Sequence, residues 1–223
     1  MSVTPPRDEA ELLARAQHWA GATVAEMAEA LSEVVPRDLR HHKGWLGELV
    51  ETALGATASS RPLPDFTELG IELKTVPIDA NGRPRESTHV CTVALGDLVG
   101  QRWQNSTVRL KLHRVLWMPV ETGAHLPLTA RRFGLPRLWS PDAAEESVLR
   151  ADWEEHMTLL STGRFDELDA RLGVYLQVRP KAANSRALTA AGDSGGLPGA
   201  TLPRGFYLRP AFTHAILTAS AKP

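Results

Sequence analysis

Apolar residues recur at helical spacing in three places near the N-terminus. Leu12, Leu13, Ala16, Trp19 and Ala20 follow one stripe, in a helix that the Thr4-Pro5-Pro6 run begins. Val24, Met27, Ala28 and Leu31 form a second, behind a capping-box pattern of Thr23 and Glu26. Leu46, Leu49, Val50, Ala53 and Leu54 form a third, which Gly55 stops. The period then shortens to two. From Leu69 to Val76 the chain reads as a strand, with Ile71, Leu73 and Thr75 on one side and Glu72, Lys74 and Val76 on the other. Ser87 to Leu95 alternates in the same way, with Thr88, Val90 and Thr92 against His89, Cys91 and Val93. Arg109, Lys111 and Arg114 precede or open a further strand through Val115, Leu116, Trp117 and Met118.

Ser140-Pro141 is expected to cap a long helix ending near Leu160. Its inward positions are Val148, Leu149, Trp153, His156 and Leu160, and its exposed side carries Asp142, Glu145, Glu146, Asp152, Glu154 and Glu155. Tyr175 to Pro180 reads as a strand continuing into a polar loop. Gly192 to Gly199 has neither signal and is expected to be mobile. A short last helix uses Phe212, Ala215, Ile216 and Ala219. Helices mixed with strands make this an α/β (α+β) chain, and 223 residues suffice for one large domain or two lobes sharing a cleft.

Composition adds little until charge is followed along the chain. The net charge is −1, yet residues 1–82 hold 7 basic and 13 acidic side chains and residues 138–170 hold 2 and 9. Residues 83–137 hold 9 basic and 3 acidic, and residues 171–223 hold 7 and 1. Such alternation suits a basic cleft for a phosphate backbone with acidic surface elsewhere. Cys91 is the one cysteine, which excludes an internal disulfide and a cysteine-based zinc site. No apolar run reaches the roughly 20 residues that span a bilayer, and no signal-peptide core precedes Glu11, so the expected location is the cytoplasm.

One constellation can carry chemistry. Asp65 lies in a proline-bearing turn leading into the strand that holds Glu72 and Lys74, whose Cα atoms are about 7 Å apart by strand rise. Two carboxylates and an ammonium at one strand suit metal-assisted phosphodiester hydrolysis. The pattern D-x6-E-x-K alone is weak, because surface strands often carry Glu and Lys two apart as a solvated face. Glu51 lies just beyond the edge of the third apolar stripe and can lean toward a neighbouring site, whereas Glu48 sees solvent. The eight histidines show no metal-binding spacing, and no phosphate-binding loop or nucleophile motif is present.

Several longer motifs carry a resemblance. They are Asp38-Leu-Arg-His-His-Lys43-Gly44-Trp45-Leu46-Gly47-Glu48-Leu49-Val50-Glu51, Lys111-Leu-His-Arg114-Val-Leu-Trp117-Met-Pro119, Tyr175-Leu-Gln-Val-Arg179-Pro180-Lys181-Ala-Ala-Asn184, and Leu202-Pro-Arg204-Gly205-Phe206-Tyr207-Leu208. With the Asp65–Lys74 stretch, and from about Pro5 to Ile216, the chain resembles the MutH family of mismatch-repair endonucleases, which nick DNA at GATC. The resemblance implies a restriction-endonuclease-like fold, a mixed β-sheet flanked by helices in two lobes around a DNA cleft, with residues 1–223 as a single endonuclease domain.

It further implies that Asp65 and Glu72 bind Mg²⁺, that Lys74 is catalytic, and that Glu51 and Lys111 belong to the active site. Lys43 would face a phosphate, and Arg179, Pro180 and Lys181 would form the recognition loop. Tyr207 would stand at the GATC adenines, against the alternative of a sheet-edge aromatic in the core. His89 and His113 depart from the family pattern and are poor choices as functional residues. The implied partners are double-stranded DNA containing GATC, the ATP-driven activator MutL and, through it, MutS, with the chain acting as a monomer. A GATC restriction endonuclease outside repair and a non-catalytic DNA-binding module are the alternatives. The first generally carries an additional domain, and the second would not need the full Asp-Glu-Lys motif.

Overall fold

The computed structural model describes residues 3–39, 42, 44–58, 62–96, 98, 100–169, 171–181, 189–190, 200–201 and 203–219. Lys43, the end of the recognition loop at Ala182–Asn184 and the Gly192–Gly199 run lie outside them. The elements in order are α1 (Glu9–His18), α2 (Val24–Ala30), α3 (Trp45–Leu54), β1 (Glu72–Ile78), β2 (Thr88–Thr92), α4 (Thr107–Leu112) and β3 (Val115–Glu121). They continue with β4 (Arg137–Trp139), α5 (Ala143–Ser161), β5 (Leu176–Pro180), β6 (Thr189–Ala190), β7 (Ala200–Thr201), β8 (Arg204–Leu208) and α6 (Pro210–Thr218). None of the described helices is long and apolar enough to cross a membrane. The mixed helix and sheet content is the α/β arrangement that the alternating periods predict.

The chain divides into two compact units. Residues 1–86, 113–140 and 214–223 form the first, and residues 87–112 and 141–213 the second. In the first, β3 lies between β1, to which it is parallel, and β4, to which it is antiparallel. Six of the seven β3 residues are buried, as expected for a strand covered on both faces. One face of this mixed sheet presents Leu73, Leu116 and Met118 to Leu12, Ala16, Val24, Met27, Leu49, Val50 and Leu54 from α1, α2 and α3 in one core. That leaves β1 as the edge strand, and α3 packs against it.

The second unit holds a three-stranded antiparallel sheet, β2-β8-β5, with β8 central and α5 against β5. β6 and β7 pair separately as a short ladder.

Several boundaries differ from the sequence expectation, for local reasons. α1 starts at Glu9 rather than at the prolines, because Asp8 accepts the Glu11 N–H at 2.8 Å and supplies the cap. α5 is capped by Asp142 in a capping box with Glu145, two residues after Ser140. The alternation of β2 is interrupted by a bulge between His89 and Cys91, so that Val90 and Cys91 are both buried. Asp152, assigned to the solvated side of α5, is buried, as are Met157 and Leu159. In α6 the buried partners of Phe212 and Ile216 are not Ala215 and Ala219 but Thr213, whose hydroxyl lies 3.2 Å from that of Thr88. The Thr23–Glu26 capping box and the left-handed Gly55 (φ 80°) after α3 are as the sequence predicts.

Candidate active site and nucleic-acid interface

Asp65 reaches β1 because the chain doubles back immediately after it. Phe66 and Ile71 exchange backbone hydrogen bonds at 2.9 and 3.3 Å, the residues between them form a single 3₁₀ turn over Thr67–Leu69, and Gly70 closes it at φ 65°. The fold-back sets the Asp65 carboxylate against β1, where Oδ2 accepts the Leu73 N–H at 2.8 Å. The Asp65 carbonyl accepts from Thr57 and Ala58, which ties the turn to the exit of α3.

Glu72 opens β1, with its own N–H bonded to the Arg114 carbonyl at 2.9 Å. The residue is only 2% exposed, and Oε1 accepts from Lys74 Nζ at 2.5 Å across the two-residue strand spacing. A carboxylate this buried requires a partner, and the lysine is one.

Glu51 completes the group from α3. Gly47 lies one turn earlier and faces β1, where a Cβ would make ordinary contact with Thr75 Oγ1 at 3.7 Å and Glu51 Oε1 at 4.0 Å. Burial pushes the Glu51 carboxyl above the ordinary carboxylate range, and the charges of Asp65, Glu48 and Glu72 add to the rise while Lys74 opposes it. Asp65, Glu72 and Glu51 against Lys74 amount to three formal negative charges and one positive, an excess of two. That excess, presented entirely through carboxylate oxygen, fits a hard divalent cation. Among the described residues, no three His, Cys, Asp or Glu side chains already form a ligand set; Glu72 pairs with Lys74 and Asp65 accepts the Leu73 N–H.

The raised Glu51 pKa gives stability a pH dependence of definite sign. A carboxyl whose folded-state pKa lies above its unfolded value destabilises the fold once it ionises, so stability is lost as pH rises through the folded value. Glu51→Gln removes that loss, and its melting temperature without added metal is expected to exceed that of the unaltered chain at pH 7 but not at pH 3. Affinity for a divalent cation in the same variant is expected to fall roughly 10–100-fold, the usual cost of losing a supporting carboxylate at a metal site. Equal melting at both pH values would refute the repulsion.

The remaining candidates among the described residues belong to the second unit. Lys111 is half-buried in the last turn of α4. Gln177, Arg179 and Lys181 alternate onto one face of the β2-β8-β5 sheet, in register with Tyr207 and Gly205 of β8. Pro180 is exposed between Arg179 and Lys181. Ser87 Oγ accepts from Gln177 Nε2 at 2.7 Å and from Arg179 Nη1 at 3.2 Å, and Lys181 Nζ reaches Thr92 Oγ1 at 2.8 Å.

Tyr207 is not a sheet-edge residue, because β8 is the central strand, and its ring is half-buried. The His89 ring meets it edge-on at 5.1 Å, and the Arg179 guanidinium lies 5.9 Å from its centroid. Burial pushes the Tyr207 phenol above its ordinary value, with Arg179 pulling the other way, so a neutral hydroxyl is kept as donor. His89, set aside on sequence grounds, therefore belongs to this cluster. Gly205 does as well, since a Cβ there would stand 3.0 Å from the Tyr207 ring and 3.3 Å from His89. Ser87 lies in none of the quoted motifs, and only the fold brings it to Gln177 and Arg179.

Residues 54–152 match the family model described as "DNA mismatch repair enzyme MutH". The chain is 53% identical over 212 residues to the DNA mismatch repair protein MutH of Vibrio parahaemolyticus serotype O3:K6, covering 95% of this chain and 94% of that one. It is 54% identical over 213 residues to the protein of the same name from Serratia proteamaculans, covering 96% and 93%. With the Shewanella baltica OS155 protein, also so named, identity is 51% over 215 residues and coverage 96% of both.

Proposed function

The chain belongs to the MutH family of DNA mismatch repair enzymes, and from that premise we propose that it nicks the unmethylated strand of hemimethylated GATC sites by Mg²⁺-dependent hydrolysis. Membership makes it a repair nuclease with DNA as substrate and a divalent metal as cofactor. The observation that supports the finer reading is the meeting of Asp65, Glu72, Lys74 and Glu51 at the start of the edge strand β1.

Asp65 and Glu72, with Glu51 beside them, would hold Mg²⁺ through carboxylate oxygen. When bound, the cation supplies Lewis acidity and lowers the pKa of water, which removes the need for a histidine base. Lys74, fixed on Glu72, is a compact charge that orients the attacking water and steadies charge developing on the phosphate. Lys111 assists. Water attacks phosphorus and the P–O3′ bond breaks, leaving a 3′-hydroxyl and a 5′-phosphate. One such centre cuts one strand, so a monomer nicks.

Recognition falls to Arg179, whose fork can bond guanine O6 and N7, and to Lys181, which can reach a guanine or a phosphate. Pro180 stiffens the loop between them, Lys43 meets a phosphate, and Tyr207 stands at the adenine methyl group. Residues 1–223 act as one endonuclease domain in the cytoplasm.

Two outcomes check this reading. Log affinity for duplex DNA is expected to fall linearly with log salt, by about 0.9 per phosphate neutralised, despite a net charge of −1. A slope near zero would mean that the basic blocks do not act together on DNA. The isolated chain is expected to nick slowly and to be accelerated by purified MutL with ATP, because no ATPase motif is present in the sequence to supply its own switch. A nicking rate indifferent to MutL would remove the chain from that pathway.

A further inference from the structure

Asp152 lies in the middle of α5, 4% exposed, and its carboxylate serves one stretch of backbone. Oδ1 accepts the Val174 N–H at 2.8 Å, and Oδ2 accepts those of Tyr175 and Leu176 at 2.7 and 2.8 Å. Among the described residues no lysine or arginine forms an ion pair with it. Three consecutive N–H groups on one carboxylate make a strong and directional hold.

The carbonyl side of the same turn is held by Arg209. Its Nε donates to Gly173 O at 2.9 Å and its Nη2 to Leu172 O at 2.7 Å, while its own N–H bonds Tyr175 O at 2.8 Å. Gly173, at φ 76°, lies where a Cβ would come within 1.9 Å of Leu176 O and 3.2 Å of Asp152 Cγ, so the turn is closed tightly around the carboxylate.

This turn launches β5, the strand ending in Arg179 and Pro180 with Lys181 after it. Leu176, the first strand residue, gives its N–H to Asp152 and its carbonyl to His156 Nε2 at 3.2 Å, so α5 covers the free edge of β5 at its root. Three residues later, Arg179 is paired opposite Gly205 and shares a face with Tyr207. A slip of one residue would turn Arg179 and Lys181 to the opposite face, and the hold on the first strand residue opposes it together with the pairing to β8.

We propose that Asp152 and Arg209 form a clamp whose task is to position β5 for reading DNA sequence, Asp152 being the principal positioning residue. The proposal rests on Arg179 and Lys181 being the base-contacting groups. Neither clamp residue touches DNA. They fix where the strand begins and thereby where its reading side chains arrive.

The test measures kcat and KM for nicking of a GATC duplex and of a duplex with one base pair of the site altered, using Asp152→Asn, Arg209→Met and Arg179→Ala in the full chain. Asp152→Asn is expected to raise KM on GATC and to lower the GATC-to-altered ratio of kcat/KM about tenfold or more, the order of one lost bidentate base contact. Its kcat on GATC should stay within about threefold of the unaltered chain's, since the reacting groups are untouched. Arg209→Met should shift the ratio in the same direction. A merely structural role would lower the melting temperature and the active fraction equally on both duplexes, and an unchanged ratio in Asp152→Asn overturns the clamp. If Asp152→Asn does not fold, an unchanged ratio in Arg209→Met overturns it instead. If Arg179→Ala itself leaves the ratio unchanged, the assignment of Arg179 as reader fails, whatever the clamp variants do.

Discussion

Alanine at Asp65, Glu72 or Lys74 is expected to lower nicking of a GATC duplex by about 10³-fold or more, the upper range for removing a group that stabilises transition-state charge. The three losses differ in stability, and that difference tests the geometry. Lys74→Ala removes the ammonium 2.5 Å from the buried Glu72 carboxylate. Removing one partner of a buried ion pair costs up to roughly 3–5 kcal/mol. Glu72→Ala leaves a lysine on a flexible stem that can turn toward water, a smaller cost. Without added metal, Lys74→Ala should therefore melt below Glu72→Ala, although both are inactive. Full activity in Glu72→Ala, assayed with Mg²⁺, would end the assignment of this cluster as the catalytic centre.

The second large effect concerns methylation. An enzyme that cuts one strand of a symmetric site must sense a single methyl group, and one apolar contact supplies only ~1–3 kcal/mol. Strong discrimination needs a clash as well as a lost contact. The Tyr207 ring has little freedom to yield, since His89 meets it edge-on at 5.1 Å and the ring lies against Gly205, where a Cβ would stand only 3.0 Å from it. Tyr207→Ser is expected to change the ratio of nicking among unmethylated, hemimethylated and fully methylated duplexes by about tenfold or more, in line with the loss of that contact and clash. Its melting temperature should move little. Arg179→Ala should instead depress activity on all GATC duplexes. An unchanged methylation ratio in Tyr207→Ser would make Tyr207 a packing residue.

The elements that could be read from the sequence are those whose signals are local. The α3 stripe and its Gly55 stop lie within a dozen residues, as do the Thr23–Glu26 box and the Asp65–Lys74 spacing. The parts that could not be read depend on residues far apart in the chain. Asp152 looks like one more carboxylate on an acidic helix until β5, more than twenty residues on, brings three backbone N–H groups to it. The alternative for Tyr207, a sheet-edge aromatic, falls only once the order β2-β8-β5 is known, and a strand order with crossovers is not encoded in any one segment. The bulge at His89–Cys91 likewise defeats simple alternation, which is why both Val90 and Cys91 turn inward. Glu51 was half legible: helical spacing places it at the stripe's edge, and the charges of Asp65 and Glu72 near it come only from the fold.

Strand-resolved nicking of a hemimethylated GATC duplex by the purified chain, with Mg²⁺ and with EDTA, tests the central claim most directly. The account predicts a single cut, in the unmethylated strand only, with a 3′-hydroxyl and a 5′-phosphate at its ends, and none in EDTA. Cutting of both strands, cutting that ignores the methyl group, or cutting that survives EDTA would contradict it.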